Sequence, residues 1–514
     1  MPLARTNTVI VVGVAGQLVE VEADISAGLP GMAIVGLADT AVGEARDRAR
    51  SAVINSGHEW PNRRITVGLS PAAIHKRGSA LDLAIAIAVL AAAGQVPVDE
   101  LLDLVVVGEL GLDGRVRPIR GALPIALAAR DAGLGLILPR GNVREAKLVP
   151  DLAVRSVCNL AGLVALLRAG PCAHDDDDEA DSDTSTDNES RSVPDLRDVR
   201  GHPDARFSLE LAAAGAHHIA MVGPPGIGKT LLAERLPGIL PPLSADASLV
   251  ATSIHSIAGR LPESADLIRH PPFIAPHHTA SLAALVGGGS GTPKLGLVSL
   301  AHNGVLFLDE APEFDQSVLD ALRQPLEAGE IVVSRSGFSL RLPARFQLVL
   351  AANPCPCGHA GAKDGICTCS SLQRRRYLAR LSGPLLDRID VRLQLEAPTL
   401  AELRLLGGSP ESSEIVAARV LAARERALRR LRDLPWHVNA EVPTTELRRL
   451  WPLPADVLAP AEAAFQNGRS SVRGLDRVVR LAWTVADLTG HDRPTAADVD
   501  TAVRQRDGHG KWAA

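Results

Sequence analysis

Residues 218–234 read HIAMVGPPGIGKTLLAE: an apolar run, a glycine-rich loop and the start of a helix in immediate succession. The loop comprises Gly223, Pro224, Pro225, Gly226, Ile227, Gly228, Lys229 and Thr230, which satisfies G-x-x-x-x-G-K-[ST] in full. Glycines let consecutive backbone N–H groups wrap a phosphate chain, and the helix N-terminus adds its positive end. Lys229 reaches the β and γ oxygens, and Thr230 offers its hydroxyl to Mg²⁺. Strand, loop and helix in this register predict a P-loop that takes ATP with Mg²⁺.

Further along, Gly304-Val-Leu-Phe-Leu ends in Asp309 and Glu310. After a complete P-loop, an apolar strand closing on two carboxylates predicts Asp309 in the Mg²⁺ shell. Glu310 is then the group that orients and deprotonates the attacking water. Phe346–Ala352 is a second buried strand, and it ends at Asn353, placed to hydrogen-bond the γ-phosphate or the water. SGPLLDRID (Ser382–Asp390) puts Arg388 at a turn, as a surface ion pair or as an arginine finger for a neighbouring subunit's nucleotide.

The rest of the 514 residues organise around this block. Residues 172–193 hold HDDDDEADSDTSTDNES, with nine acidic side chains and no basic one, and read as a disordered linker. The net charge of -5 is a property of that linker, since elsewhere 50 acidic face 54 basic residues. Before it, residues 1–171 interleave strands (Val9–Val14, Val19–Ala23, Arg64–Gly68, Leu104–Gly108, Leu134–Pro139) with helices (Asp39–Ser56, Ala80–Ala93). Residues 194–398 alternate again, and 399–514 turn helical, with Ser413–Leu431, Ala455–Gln466, Leu475–Thr489 and Thr495–Gln505 the clearest helices. The overall class is α/β with a helical C-terminal domain. No apolar run reaches the roughly 18 to 20 residues of a membrane span. Six cysteines argue for a reducing cytoplasm rather than a disulfide framework. Aromatics at 3% leave little for base-stacking platforms.

Four of those cysteines form two CxC pairs, Cys355/Cys357 and Cys367/Cys369, with glycines at 358, 361 and 365 between them. Four thiolates can hold Zn²⁺, and reduced free thiols are the other reading. Arg374–Arg376 follows directly, as a phosphate-binding patch or a solvated helix start. Glu330–Phe346 reads as a β-hairpin around a Ser-Gly turn, presenting Arg335 and Arg341. His277 and His278 have no suitably spaced partner, and adjacent side chains in an extended segment point apart, so both read as structural.

These motifs in this order resemble an AAA+ ATPase. GPPGIGKT, PHHTAS, GVLFLDE, LRQPLEAGEIVVSRSG, NPCPCG and SGPLLDRID resemble, more narrowly, the YifB/ComM family of magnesium-chelatase-like AAA+ ATPases. The resemblance implies an AAA+ core, a C-terminal helical lid, Asn353 as sensor 1 and Arg388 as the arginine finger. It also implies a sensor-2 arginine, at Arg473 or, on the same helix, Arg477. A hexameric homo-oligomer follows, with the segment around Leu285–Gly291 and the hairpin facing a pore that takes single-stranded or branched DNA. Gly108–Pro139 and His75–Ala88 resemble the proteolytic domain of Lon proteases. There, however, Ser79 stands one position early and Leu123 occupies the position of the dyad lysine. A Lon-like fold without peptidase activity is the expectation, because a serine without its base is not activated. The functional expectation is a DNA motor associated with helicase or branch-migration work in recombination and natural transformation. The alternative is the ATPase subunit of a chelatase that inserts Mg²⁺ into a tetrapyrrole.

Overall fold

The computed structural model describes residues 3–37, 39–76, 78–169, 194–261, 266–288, 294–335, 338–360, 367–396, 410–468 and 470–508. The acidic linker, the boundary at 398/399, the glycines at 361 and 365 and the Ser-Gly turn at 336–337 lie outside them.

In the N-terminal part, Leu3–Val12 and Ala15–Ser26 pair as an antiparallel hairpin. Their alternating apolar and polar residues give one face to a core and one to solvent. The hairpin sits inside a seven-stranded mixed sheet. Its order is Gly31–Val35, Arg64–Ser70, Ala15–Ser26, Leu3–Val12, Leu104–Val106, Gly135–Pro139, Val154–Val157. Every residue of the helix Asp82–Ala92 is buried, which explains why the stretch after Asp82 is apolar all round. The Asp82 carboxylate is met by Arg48 at 2.7 Å. The helix expected at 39–56 forms as Thr40–Asn55, with Asp39 accepting from the Val42 amide at 2.8 Å as its N-cap.

The second sheet is parallel throughout. Its order is Phe273–Ile274, Gly304–Leu308, Phe346–Ala352, Ile219–Val222, Val391–Gln394. The three middle strands are buried along their whole length, so helices cover both faces and the strands read as unbroken apolar runs. Parallel pairing brings their carboxyl ends to one edge, where Gly223, Asp309 and Asn353 follow as the next residues. That edge is where open α/β sheets bind ligands.

The C-terminal helices form as Ser413–Arg430, Ala455–Gln466, Val472–Thr489 and Ala496–Asp507. They dock on the sheet through a buried polar knot centred on Asp390. Its carboxylate meets Arg477 Nη1 at 2.8 Å and His217 Nδ1 at 3.1 Å, and His217 Nε2 lies 2.7 Å from Thr484 Oγ1. Burial alone would raise the Asp390 pKa, but the Arg477 guanidinium and the His217 hydrogen bond reverse this and hold it well below the carboxylate range. Asp390→Asn is therefore expected to destabilise the chain by about 3–5 kcal/mol, the usual cost of leaving a buried charge without its partner. The loss should appear in urea unfolding and as faster proteolysis of the C-terminal helices. Because the folded pKa lies below the unfolded value of about 3.9, this stabilisation is complete above that pH. It fades as pH falls toward the folded pKa. An unchanged unfolding midpoint in Asp390→Asn would contradict the assignment.

The N-terminal part also touches the part of the chain built on the parallel sheet. Glu145 accepts from the Leu123 amide at 2.7 Å and from the Ser256 hydroxyl, while Leu249 packs on the N-terminal apolar cluster. Desolvation at this contact raises the Glu145 pKa. A Cβ on Gly13, in the turn of the first hairpin, would come 3.2 Å from Leu340 of the hairpin Glu330–Arg335/Phe338–Pro343.

Candidate nucleotide site

The loop after Ile219–Val222 turns through Gly226 and Gly228 at φ +75° and +95°, a region in which L side chains are strained. At Gly223 the constraint is space, since a Cβ there would lie 2.9 Å from the Leu395 Cβ. The helix Lys229–Arg235 starts immediately behind the loop. Lys229 Nζ donates to Gly223 O at 2.7 Å, Pro224 O at 2.9 Å and Asn353 Oδ1 at 3.0 Å. Its ammonium is thus held by the loop carbonyls and by the residue that ends the neighbouring strand. Burial lowers the Lys229 pKa, with Asp309 and Glu310 pulling the other way. Thr230 Oγ1 donates to Asp309 Oδ2 at 2.8 Å. A hydroxyl and a carboxylate in direct contact form an oxygen pair of the kind Mg²⁺ takes alongside nucleotide phosphates.

Glu310 follows Asp309 with φ +50°, a left-handed conformation for a non-glycine residue, and its amide donates to Asp309 Oδ1 at 2.9 Å. Strain of this kind costs on the order of 1–3 kcal/mol and clusters at functional sites. It turns the side chain out of the strand line, and the carboxylate is half exposed at 51%. Asn353 also lies close to the buried side chain of Tyr377. Burial, followed by the Glu313 and Glu310 carboxylates, pushes that phenol up to about 12 and keeps it neutral.

Beside the loop lies a cavity of about 300 Å³ lined by Val199, His202, Ile227 and Leu231, among others. Its apolar walls and its position behind the phosphate loop suit a flat heteroaromatic base. A larger cavity of about 750 Å³ has no P-loop residue in its lining. It lies between the helix Leu282–Val286, the strand Glu330–Arg335 and the helix Arg323–Ala328, with Arg388 at its edge.

The structure brings Lys229, Thr230, Asp309 and Asn353 together and sets Glu310 beside them. Arg388 and Arg473 are elsewhere. Arg388 contacts Glu327 of its own chain and donates to Pro384 O at 2.5 Å. Arg473, with a side chain 74% exposed, lies 3.5 Å from Asp387. Burial, and then the positive charges of Arg323, Arg473 and Arg477, lower the Arg388 pKa. Arg477 is engaged with Asp390 in the docking knot, whereas Arg473, on the same helix Val472–Thr489, faces solvent.

The histidine pair departs from expectation. The His277 and His278 rings do not diverge but lie 4.2 Å apart between centroids, and His278 Nδ1 is 3.5 Å from Glu310 Oε2. The pairing register explains the meeting. Phe273 pairs with Val305 and Ile274 with Leu306 in parallel, so the segment that follows Ile274 leaves the sheet at the same edge as Glu310. The sequence carries that signal only once the strands are known to be neighbours and parallel.

The four cysteine sulfurs converge within 4.8 Å of one another. Hydrogen bonds from the His359 amide and the Cys355 thiol draw the Cys357 pKa down to about 6. Arg374–Arg376 lie exposed on the helix Ser371–Leu378 that follows. In the hairpin, Arg341 is exposed and meets Glu330 at 3.0 Å. The backbone of Arg335 pairs with Phe338, and its side chain lies outside the described atoms. Among the described residues, no helix is long and apolar enough to cross a membrane.

A P-loop, a carboxylate strand and a polar strand end in adjacent positions of a parallel sheet, followed by a helical lid, define an AAA+ ATPase. Comparison with known proteins makes this narrower. Residues 195–403 match the family model "Magnesium chelatase, subunit ChlI", residues 21–142 "Subunit ChlI of Mg-chelatase" and residues 410–506 "Magnesium chelatase, subunit ChlI C-terminal". An uncharacterized protein of Mycobacterium tuberculosis is 48% identical over 98% of this chain and 99% of its own length. Protein YifB of Escherichia coli is 41% identical over 98% of this chain and 97% of its own length. Competence protein ComM of Haemophilus influenzae is 40% identical over 96% and 95%. The chain belongs to the YifB/ComM family of magnesium-chelatase-like AAA+ ATPases.

Proposed function

We propose that this protein is an ATP-hydrolysing, hexameric motor that acts on single-stranded or branched DNA, with a ComM-like helicase or branch-migration role in recombination or natural transformation. The observation that carries the ATPase reading is the contact set Lys229–Asn353 and Thr230–Asp309 at one sheet edge. The DNA reading is supported by identity to competence protein ComM along nearly the whole chain, the N-terminal part included.

In this reading, Gly223, Pro224, Pro225, Gly226, Ile227 and Gly228 cradle the phosphates through their backbone, and Lys229 neutralises charge on the β and γ oxygens. Thr230 and Asp309 hold Mg²⁺, which supplies charge neutralisation at the transferring phosphoryl group. Glu310 takes the proton of the attacking water, and Asn353 orients that water or the γ-phosphate. Arg388, which lines a cavity without a P-loop residue, acts as the arginine finger on the nucleotide of a neighbouring subunit, and Arg473 serves as the sensor-2 arginine. Arg341 and the exposed Arg374–Arg376 contribute phosphate contacts without base readout. The four thiols take Zn²⁺.

The N-terminal part is Lon-like in fold and does no proteolysis. The Ser79 hydroxyl is donated to Glu109, the Lys76 ammonium to the Pro71 carbonyl, and Leu123 is packed in the core. The protein works in the cytoplasm.

A second reading, the motor subunit of a metal chelatase, is favoured by the description of the three matching family models. One assay separates the two. Turnover of the purified chain should rise with single-stranded or branched DNA and vanish in Lys229→Ala. Stimulation by a porphyrin or a chelatase partner, with none from DNA, would replace the first reading by the second.

A further inference from the structure

We propose that the four-cysteine cluster is a zinc centre whose work is to fix Asn353 against the P-loop, so that ATP hydrolysis, though not ATP binding, requires the metal. The inference rests on the ATP-hydrolysing reading above and adds to it a coupling between two sites.

The donor set fits the ion. Tetrahedral Zn²⁺ with Zn–S near 2.3 Å separates its sulfurs by about 3.8 Å. Here Cys355 and Cys357 are 3.3 Å apart, Cys355 and Cys367 3.8 Å, and Cys357 and Cys367 3.6 Å. The Ala360 amide donates to Cys355 Sγ at 3.3 Å, the kind of bond that stabilises a thiolate ligand. Coordination releases the thiol protons to solvent.

The cluster is built onto the nucleotide site. Cys355 is buried and stands two residues after Asn353, whose side chain takes the Lys229 ammonium. Three residues beyond Cys355, Gly358 at φ +82° lies flat on the phosphate loop, where a Cβ would come 2.6 Å from Pro225 Cγ. Cys369 directly precedes the Ser370 cap of the helix Ser371–Leu378. That helix carries Tyr377, whose buried ring lies beside Asn353. Asn353 is thus bracketed by the first cysteine and by the helix that the last one anchors. Between Ala352 and Ser371 the described residues form neither helix nor strand. With no helix or strand there, the converging sulfurs and the Gly358–Pro225 contact are the tertiary anchors of this stretch, and a tetrahedral metal would tie all four sulfurs into one unit.

The test uses the full chain purified under reductant without chelator, with bound metal measured directly. Turnover, binding of a fluorescent ATP analogue and hydrogen exchange are then compared in three forms: the native chain, chelator-stripped chain, and Cys367→Ser/Cys369→Ser. This variant spares buried Cys355, and the stripped chain stands in if it fails to fold. The native chain should contain zinc. Stripping should lower kcat by about 10- to 100-fold, leave analogue affinity unchanged, and be reversed by Zn²⁺. Exchange should quicken in peptides spanning both 353–360 and 223–228.

Absence of zinc, or iron in its place, overturns the proposal. Zinc whose removal changes neither kcat nor exchange in the P-loop peptide refutes the coupling and leaves the metal site standing. A zinc-loaded native chain without turnover counts against the ATPase reading instead, and the exchange comparison still decides whether the metal holds the loop.

Discussion

Glu310→Gln is expected to bind ATP as the native chain does and to turn it over about 10²- to 10⁴-fold more slowly, the range for losing a positioned general base. The geometry separates the roles of two adjacent carboxylates. Asp309 is committed to Thr230 and to the backbone of its neighbour, so it is placed to hold a cation. Glu310 is rotated out by its left-handed backbone, is half exposed, and contacts only the His278 ring among the partners described for its side chain. An amide keeps the shape of the carboxylate and removes its basicity. Binding of a fluorescent ATP analogue should be preserved while phosphate release collapses. Loss of binding in parallel with turnover would show that Glu310 serves the nucleotide or its metal rather than the water.

The second large effect is expected at Arg388. Arginine fingers contribute about 10³- to 10⁵-fold to turnover, so Arg388→Ala alone should be nearly inactive. Within one chain this guanidinium is turned to Glu327 and lines a cavity that contains no P-loop residue. In the proposed reading it is donated across a subunit interface. Mixing Arg388→Ala with Glu310→Gln should then restore part of the activity, because some interfaces pair an intact Glu310 from one chain with an intact Arg388 from the other. No recovery in mixed assemblies would mean that the arginine acts within its own subunit.

Much of the site could be read from the sequence because its parts are contiguous. The loop 223–230 is a single run, and the strands ending at Leu308 and Ala352 are apolar runs with one polar residue class after each. Burial on both faces forces that pattern, so the strands and their last residues were predictable almost to the position. The hairpin over 330–343 was legible for a related reason, since its register follows from a local turn. The helix boundaries of the C-terminal domain also came within a few residues, because caps such as Ser471 and Thr495 are local.

What escaped reading depends on contacts distant in sequence. His278 meets Glu310 across 32 positions only because a two-residue strand happens to run parallel beside the carboxylate strand. Which of Arg473 and Arg477 is tied down depends on Asp390, a buried carboxylate distant in sequence that pairs with Arg477 while Arg473 stays in solvent. The two CxC pairs pointed to a common site, but the packing of Gly358 on Pro225 needed the chain to fold back on the P-loop. Local chemistry and periodicity thus specify which groups can bind a nucleotide and which strand ends carry them. Partners are chosen by strand order, register and burial, which are properties of the whole packed chain and have no local signature.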